Sequence, residues 1–263
     1  GSYALCVMFK DYPGEIYAAR KDSPLIVASG EKESFIASDV PAVLKYSRDV
    51  CYLGNLEMAR IKEGDVTFYN LNGDAVDKEV PKITWDSECA EKGGWEHFMI
   101  KEIHEEPKAV RDTVASFIKD GSIDFSASNL TDEVLSSISA LRIIACGSSY
   151  HVGEAVKRMV EELCGVACIV EYASEYRYRT AILDPDEAVI FISQSGETAD
   201  TLAALRITKE RNIKTIGLVN VVGSAIARES DYVIYTLAGP EIAVATTKAY
   251  SAQLVAMYSF ALA

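Results

Sequence analysis

From Leu141 onward, continuous apolar runs alternate with segments of helical periodicity, and this alternation constrains the fold more than any other feature. The run LRIIACG is apolar almost throughout, which is typical of a strand covered on both faces of a sheet. Similar runs recur at ACIVEY, AVIFIS, TIGLVN and YVIYT, with helical segments between them. Five such strands predict an α/β fold, a doubly wound, mostly parallel five-stranded sheet.

The beginning of the chain has a different pattern. Short alternating runs such as YALCVMF, GEIYAAR, PLIVAS and SFIAS are separated by turn-forming stretches. They predict a β-rich meander of antiparallel strands. One helix is expected to interrupt it, beginning at Ser38 or Asp39 with Pro41 in its first turn. Cys6 lies inside an apolar strand pattern and is expected in the core.

A charged stretch separates these two regions. Its apolar residues are spaced as in helices, and Pro107 is expected to break them. The sequence therefore predicts three parts: a β-rich domain over 1–85, an interdomain helical linker over 86–136, and an α/β domain over 137–263.

Charge and composition exclude several classes of partner. The formal net charge of −13 argues against nucleic acid or an anionic membrane, because both repel an acidic surface. No apolar run approaches the roughly 20 residues of a membrane span, and no signal peptide is recognisable, so a cytoplasmic location is expected. The 6 cysteines are expected to be reduced, and the 3 histidines lack metal-ligand spacing. We expect neither metal nor cofactor.

Two loops combine glycine with several hydroxyl groups. Cys146-Gly147-Ser148-Ser149 follows the first strand of the predicted sheet, and the segment 193–198, SQSGET, follows the third. Ligands of open α/β sheets bind beyond the carboxyl ends of the strands, where helix N-termini favour anions. Neither a P-loop nor a GxGxxG motif is present, so a phosphate monoester is favoured over a nucleotide. Ordinary helix capping by Ser and Thr remains the alternative.

For other polar residues the sequence pattern indicates a role less specifically. Lys248 is expected to be a solvated surface group, and His151 to pack or cap a helix. Glu197 either orients neighbouring hydroxyls or is an acidic residue favoured in a first helical turn. The run EYASEYRYR is expected to have a role in an interface or in an interdomain ion pair.

Several motifs together resemble one enzyme family. CGSSY, ASEYRYR, SQSGETADT, RESDYVIYTLAGPEIAVATTKAY and MIKEIHEEP are similar to the isomerising glutamine–fructose-6-phosphate aminotransferases. Residues 137–263 resemble most of the family's first sugar-isomerase (SIS) domain. Residues 1 to about 85 resemble the later part of its glutaminase domain, of the N-terminal-nucleophile-hydrolase type. SQSGETADT is shared with other phosphosugar-isomerase domains, whereas MIKEIHEEP with the β-rich part is more diagnostic.

The resemblance implies a fructose 6-phosphate site. Implied phosphate ligands are Ser149, Ser193, Gln194, Ser195 and Thr198, and the residues implied to line the sugar are Cys146, Gly147, Ser148 and Val244. In the full-length enzyme, ammonia from glutamine would convert fructose 6-phosphate to glucosamine 6-phosphate, in amino-sugar biosynthesis. The resemblance implies a homodimer and no cofactor.

The departures from the family limit what this chain is expected to do. The glutaminase nucleophile of the family is an N-terminal cysteine, whereas this chain begins with Gly1. The isomerase glutamate, histidine and lysine belong to a second SIS domain and a C-terminal tail that have no counterpart here. We therefore expect a substrate site and no complete reaction centre. The alternatives are a non-catalytic phosphosugar sensor or regulator, and a stand-alone SIS deaminase or isomerase.

Overall fold

The computed structural model describes residues 3–30, 33–40, 42–62, 64–78 and 92–263. The chain divides into two compact units, Gly1–Gly93 and Gly94–Ala263. The three-part division predicted from the sequence stays a prediction, and its first boundary lies outside the described residues. Among the described residues, no helix is both long and apolar enough to cross a membrane.

The first unit contains two antiparallel sheets, which confirms the predicted β-rich meander. The five-stranded sheet has the order β1-β2-β6-β7-β8, and the three-stranded sheet has the order β4-β3-β5. The strands are β1 Tyr3–Val7, β2 Glu15–Lys21, β3 Ile26–Ser29, β4 Ser34–Ala37, β5 Asp49–Tyr52, β6 Met58–Lys62, β7 Asp65–Tyr69 and β8 Ala75–Val76. Val27 and Leu53 are buried in the same hydrophobic core cluster of this unit.

Two expectations for this unit are wrong. Cys6 is exposed, because β1 is at the edge of its sheet and, in the part of the chain that the structure describes, has β2 as its one neighbouring strand. The expected helix is a series of turns over residues 42–46, in which Leu44 N donates to Val40 O at 3.1 Å. Asp39 accepts from Ala42 N at 3.3 Å, as an N-cap would. The two i→i−4 bonds of this segment, Leu44 N to Val40 O and Ser47 N to Val43 O, are not consecutive among the described residues, so turns form and no regular helix is built. Pro41 lies outside the described residues.

The second unit contains a five-stranded sheet with the order β12-β11-β13-β14-β15. All four strand pairings are parallel, which confirms the predicted fold class. The strands are β9 Ile118–Lys119, β10 Ser122–Ile123, β11 Ala140–Ala145, β12 Ala167–Tyr172, β13 Glu187–Ser193, β14 Lys214–Val219 and β15 Tyr232–Tyr235. The helices are α1 Phe98–Ser116, α2 Asp132–Ser136, α3 Gly147–Cys164, α4 Ala173–Tyr176, α5 Ala199–Lys209, α6 Ala225–Glu229 and α7 Lys248–Leu262.

Strand β13 shows why the apolar runs are continuous. Ile190 and Ile192 belong to one core cluster, which includes side chains of α3 and α7. Val189 and Phe191 belong to the opposite cluster, which includes side chains of α5 and α6. Because helices cover both faces, no position along the strand is left for a solvated side chain.

Helix α1 continues through Pro107, so the predicted break there is wrong. A proline inside a helix removes one backbone donor and crowds the preceding turn. Here the helix is held by its buried face, where Ala109 packs with Ala238 and Ala252. Thr113 is fully buried on the same face. These contacts with α7 and the loop before it outweigh the local cost of the proline.

The buried Glu15 carboxylate makes the stability of the first unit depend on pH. Arg60 Nε donates to it at 2.8 Å and Tyr17 Oη at 2.6 Å. These bonds, Arg60 first, lower the pKa of Glu15 to about 2. The carboxylate therefore stabilises the fold above the ordinary pKa of about 4.3, and this stabilisation is lost as pH falls toward 2.

We expect Glu15→Gln to lower the free energy of unfolding at pH 7, with a difference from the wild type that shrinks between about pH 4.3 and 2. Urea denaturation at several pH values measures this difference. Glu33→Gln, at an exposed position, is the control. A Glu15→Gln difference that is the same at pH 7 and pH 2.5 would contradict the prediction.

Candidate functional site

The two hydroxyl-rich loops lie side by side. Strands β11 and β13 pair in parallel, with Ala145 opposite Ile192, so both strands end at the same edge of the sheet. The next residues in the chain are Cys146 and Ser193. The connections from these two strands run to opposite sides, to β12 and to β14, which makes their junction the topological switch point of the sheet. Ligands of open α/β sheets bind at this position.

The loop after β13 is folded around its own hydroxyl groups. Ser193 Oγ accepts from Gly196 N at 3.0 Å and is 2.9 Å from Thr198 Oγ1, in a hydrogen bond that either can donate. Ser195 Oγ accepts from Glu197 N at 3.2 Å. Ser193 is buried, whereas Ser195 and Thr198 are partly exposed. The loop is thus a tight turn that places several hydroxyl groups just before α5.

Gly196 is required at the centre of this turn. Its φ is +66°, in the left-handed region that favours glycine. A Cβ atom there would lie 2.0 Å from Ser224 Oγ and 2.5 Å from Ser224 Cβ. Its carbonyl accepts from Ile226 N at 3.0 Å. The close approach of the loop to the start of α6 therefore depends on the absence of a side chain.

Neither long helix that begins at the site is capped by its own N-cap side chain. The N-cap of α3 is Cys146 and the N-cap of α5 is Thr198, and neither side chain accepts a hydrogen bond from its helix. The Thr198 hydroxyl is directed to Ser193 instead. The capping alternative is therefore not supported at these two positions, and the positive ends of both helix dipoles point toward the same edge of the sheet.

The loop after β11 is connected to two other helices. Ser149 Oγ donates to Gln253 Oε1 of α7 at 3.1 Å, and Thr201 Oγ1 of α5 donates to Cys146 Sγ at 3.9 Å. Gly147, with φ of +54°, and Ser148 are exposed. The loop thus presents an open glycine and hydroxyl surface beside the loop that contains Ser193.

Asn220 lies beside the candidate site and was not predicted from the sequence. Its backbone N–H donates to Gln194 O at 3.1 Å. Its side-chain Oδ1 accepts from Thr236 Oγ1 at 3.0 Å and from Ala238 N at 2.8 Å, and Nδ2 donates to Gly239 O at 2.7 Å. Asn220 therefore joins the loop after β13 to the loop after β15. Its position directly after the fourth apolar run is the signal that the sequence offers.

Val244 and Lys248 lie at the far end of the loop after β15. The Val244 side chain is fully exposed, and its predicted place beside the sugar stays a prediction. Lys248 is 3% exposed, and its Nζ lies 2.7 Å from Glu105 Oε2. The expectation that Lys248 is a solvated surface group is wrong, because α1 packs over the first turn of α7.

Three further predictions about polar residues have different outcomes in the structure. Glu197 Oε1 accepts from Ala225 N at 2.8 Å, so this carboxylate caps α6, a role different from both that the sequence suggested. His151 is exposed, with its ring 5.5 Å from that of Tyr150. Arg177 pairs with Asp200 at 2.5 Å, and both residues lie within the second unit, so the interface or interdomain role expected of the run EYASEYRYR stays a prediction.

Comparisons with known proteins agree with the motifs. Residues 135–263 match the SIS domain family. Over all 263 residues the chain is 51% identical to the isomerising glutamine–fructose-6-phosphate aminotransferase of Caldanaerobacter subterraneus subsp. tengcongensis, and it spans 43% of that protein's length.

Solved structures resemble the chain over about two thirds of its length. The C-terminal domain of glucosamine-fructose-6-phosphate aminotransferase from Francisella tularensis is 42% identical, with a TM-score of 0.63, over 65% of this chain and 48% of that chain. A glucosamine-6-phosphate deaminase from Thermotoga maritima, 23% identical with a TM-score of 0.52 over 63% of this chain and 48% of that chain, shares the fold. The resemblance inferred from the motifs is confirmed.

Replacing Gly196 by alanine tests how rigidly the turn is built. We expect Gly196→Ala to lower the free energy of unfolding by about 1–3 kcal/mol, because the new Cβ forces Ser224 away and the φ is strained. Thermal unfolding measures the loss. Gly165→Ala is the control, since Gly165 has a similar φ of +69° but open space around it. Equal losses in the two variants would show that contact with Ser224 is unimportant.

Proposed function

Since residues 135–263 belong to the SIS domain family within a chain related over its whole length to these aminotransferases, we propose that the chain binds fructose 6-phosphate. The observation that carries the proposal is the pairing of β11 with β13, which brings the two hydroxyl-rich loops together at the switch point. The proposed phosphate ligands are Ser149, Ser193, Gln194, Ser195 and Thr198. The residues proposed to line the sugar are Cys146, Gly147, Ser148 and Val244.

The chemistry of these groups suits a phosphate monoester. Hydroxyl and amide groups donate hydrogen bonds without bringing a fixed charge, and the N-termini of α3 and α5 add positive potential. The Glu197 carboxylate, the nearest acid in the loop sequence, is bonded to the N-terminus of α6. Its negative charge is thereby directed to another helix, which reduces its repulsion of a bound phosphate.

In a longer protein of the kind found among the relatives, we propose that this substrate site serves glutamine-dependent conversion of fructose 6-phosphate to glucosamine 6-phosphate. The contribution of this chain is to bind and orient the sugar phosphate, and we assign it no catalytic residue. Glutamine as the nitrogen donor, a homodimeric assembly and a cytoplasmic location belong to the same proposal. The β-rich first unit is consistent with the later part of a glutaminase domain.

A non-catalytic phosphosugar sensor is less well supported. A sensor needs only the SIS domain, joined to an output domain of another kind. Here the similarity to the aminotransferases extends over 100% of the chain and so includes the β-rich first unit.

Calorimetric titration of the 263-residue chain with fructose 6-phosphate tests the proposal. We expect saturable binding that Ser195→Ala weakens by about 1–3 kcal/mol, the cost of losing one hydrogen bond to a charged group. Ser136→Ala, which removes an exposed hydroxyl on α2, is the matched control and should bind as the wild type does.

The same titration has a clear contrary outcome. If the folded wild type does not bind fructose 6-phosphate, or if Ser195→Ala and Ser136→Ala bind it equally well, the loop is not the phosphate site. Thermal unfolding of each variant separates loss of binding from loss of the fold.

A further inference from the structure

The loop between β15 and α7, residues 236–247, is held in place largely by side chains. Ala238 N donates to Asn220, Ile242 N and Ala243 N donate to Glu102, and Thr247 N donates to Glu241. The loop contains Val244, the residue proposed to contact the sugar from this side. Its conformation therefore depends on the few side chains that accept these bonds.

Glu102 of α1 is the most unusual of these side chains. It is 2% exposed, and its Oε1 accepts from Ile242 N at 2.7 Å and from Ala243 N at 3.2 Å. Its Oε2 is buried without a hydrogen-bond partner among the described residues. A buried carboxylate with one unsatisfied oxygen has a substantial desolvation cost. Its bonds to two successive N–H groups immediately before Val244 point to a role in shaping that segment.

The position of Glu102 is itself fixed, because side chains of α1 near it contact side chains of α7. Lys248 Nζ pairs with Glu105 Oε2 at 2.7 Å, and Ser251 Oγ donates to Glu106. One turn farther along α1, the small side chain of Ala109 packs closely against α7. Glu102 thus extends toward the loop from a helix whose position these contacts fix.

The other end of the loop is connected to the phosphate side of the site. Asn220 accepts from Ala238 N and donates to Gly239 O, while its own N–H donates to Gln194 O. The loop is therefore anchored at one end to the candidate phosphate loop and, near Val244, to Glu102.

From these contacts we propose that Glu102 is a positioning residue for the sugar phosphate, which holds residues 240–247 against the sugar end of the ligand. The segment α1 is then part of the binding site, although it lies outside residues 135–263, which match the SIS domain family. This inference rests on the proposed function of the site.

The test uses the 263-residue chain with Glu102→Ala and two readouts. Amide hydrogen exchange of Ile242 and Ala243 should become roughly tenfold faster, because both N–H groups lose their acceptor. Affinity for fructose 6-phosphate should fall by about tenfold, whereas affinity for inorganic phosphate, which lacks the sugar, should stay unchanged. Asp112→Ala removes an exposed acid from the same helix and is the matched control.

Conservative variants make the test independent of the stability of Glu102→Ala. Glu102→Gln keeps an acceptor oxygen and should restore most of the affinity. In Glu102→Asp the shorter side chain moves the carboxylate away from the loop, so its affinity should fall as in the alanine variant, but by less. If a folded variant loses amide protection but keeps its affinity for fructose 6-phosphate, the positioning role is wrong. If the wild type does not bind fructose 6-phosphate, the proposed function fails first, and the positioning role fails with it.

Discussion

The parallel pairing of β11 with β13 is the contact on which the site depends. It brings the ends of two strands to one edge of the sheet, and the chain leaves them in opposite directions. Both loops therefore lie at one edge of the sheet, and α3 and α5 begin there with no side-chain cap from their N-cap residues. An anion bound at the proposed site would be stabilised by backbone groups and hydroxyls whose positions the sheet fixes in advance, so that the overall negative charge of the protein would matter less than the local field.

The sequence predicted the second unit well because its determinants are local. A strand covered by helices on both faces is apolar over most of its length, as β13 is from Ala188 to Ile192, and the loops that follow such strands can be located by counting residues. Counting in this way locates Cys146 and Ser193 at the ends of β11 and β13, where they lie in the structure. Their proposed roles toward a ligand are a separate matter, which sequence similarity supports and binding measurements test.

The predictions that are wrong concern residues whose surroundings depend on parts of the chain far away in the sequence. Pro107 does not break α1, because the buried face of that helix packs against α7. The two helices are too far apart in the sequence for a local pattern to show this contact. Lys248 is buried for the same reason, since its partner, Glu105, lies more than 140 positions earlier. Cys6 has the neighbours of a core residue in the sequence, yet its strand is at the edge of a sheet. Hydrophobic pattern indicates which face can be buried, but not whether something covers it.

The pair formed by Lys248 and Glu105 also bears on where this domain begins. A polypeptide cut at residue 135, the start of the family match, would keep the lysine and remove its counter-ion. It would also uncover Ala252 and the small-residue surface against which Ala109 packs. An ammonium group buried without its partner is costly, so the shortened chain would have to rearrange the first turn of its last helix. The unit that folds is therefore longer than the unit that sequence families recognise.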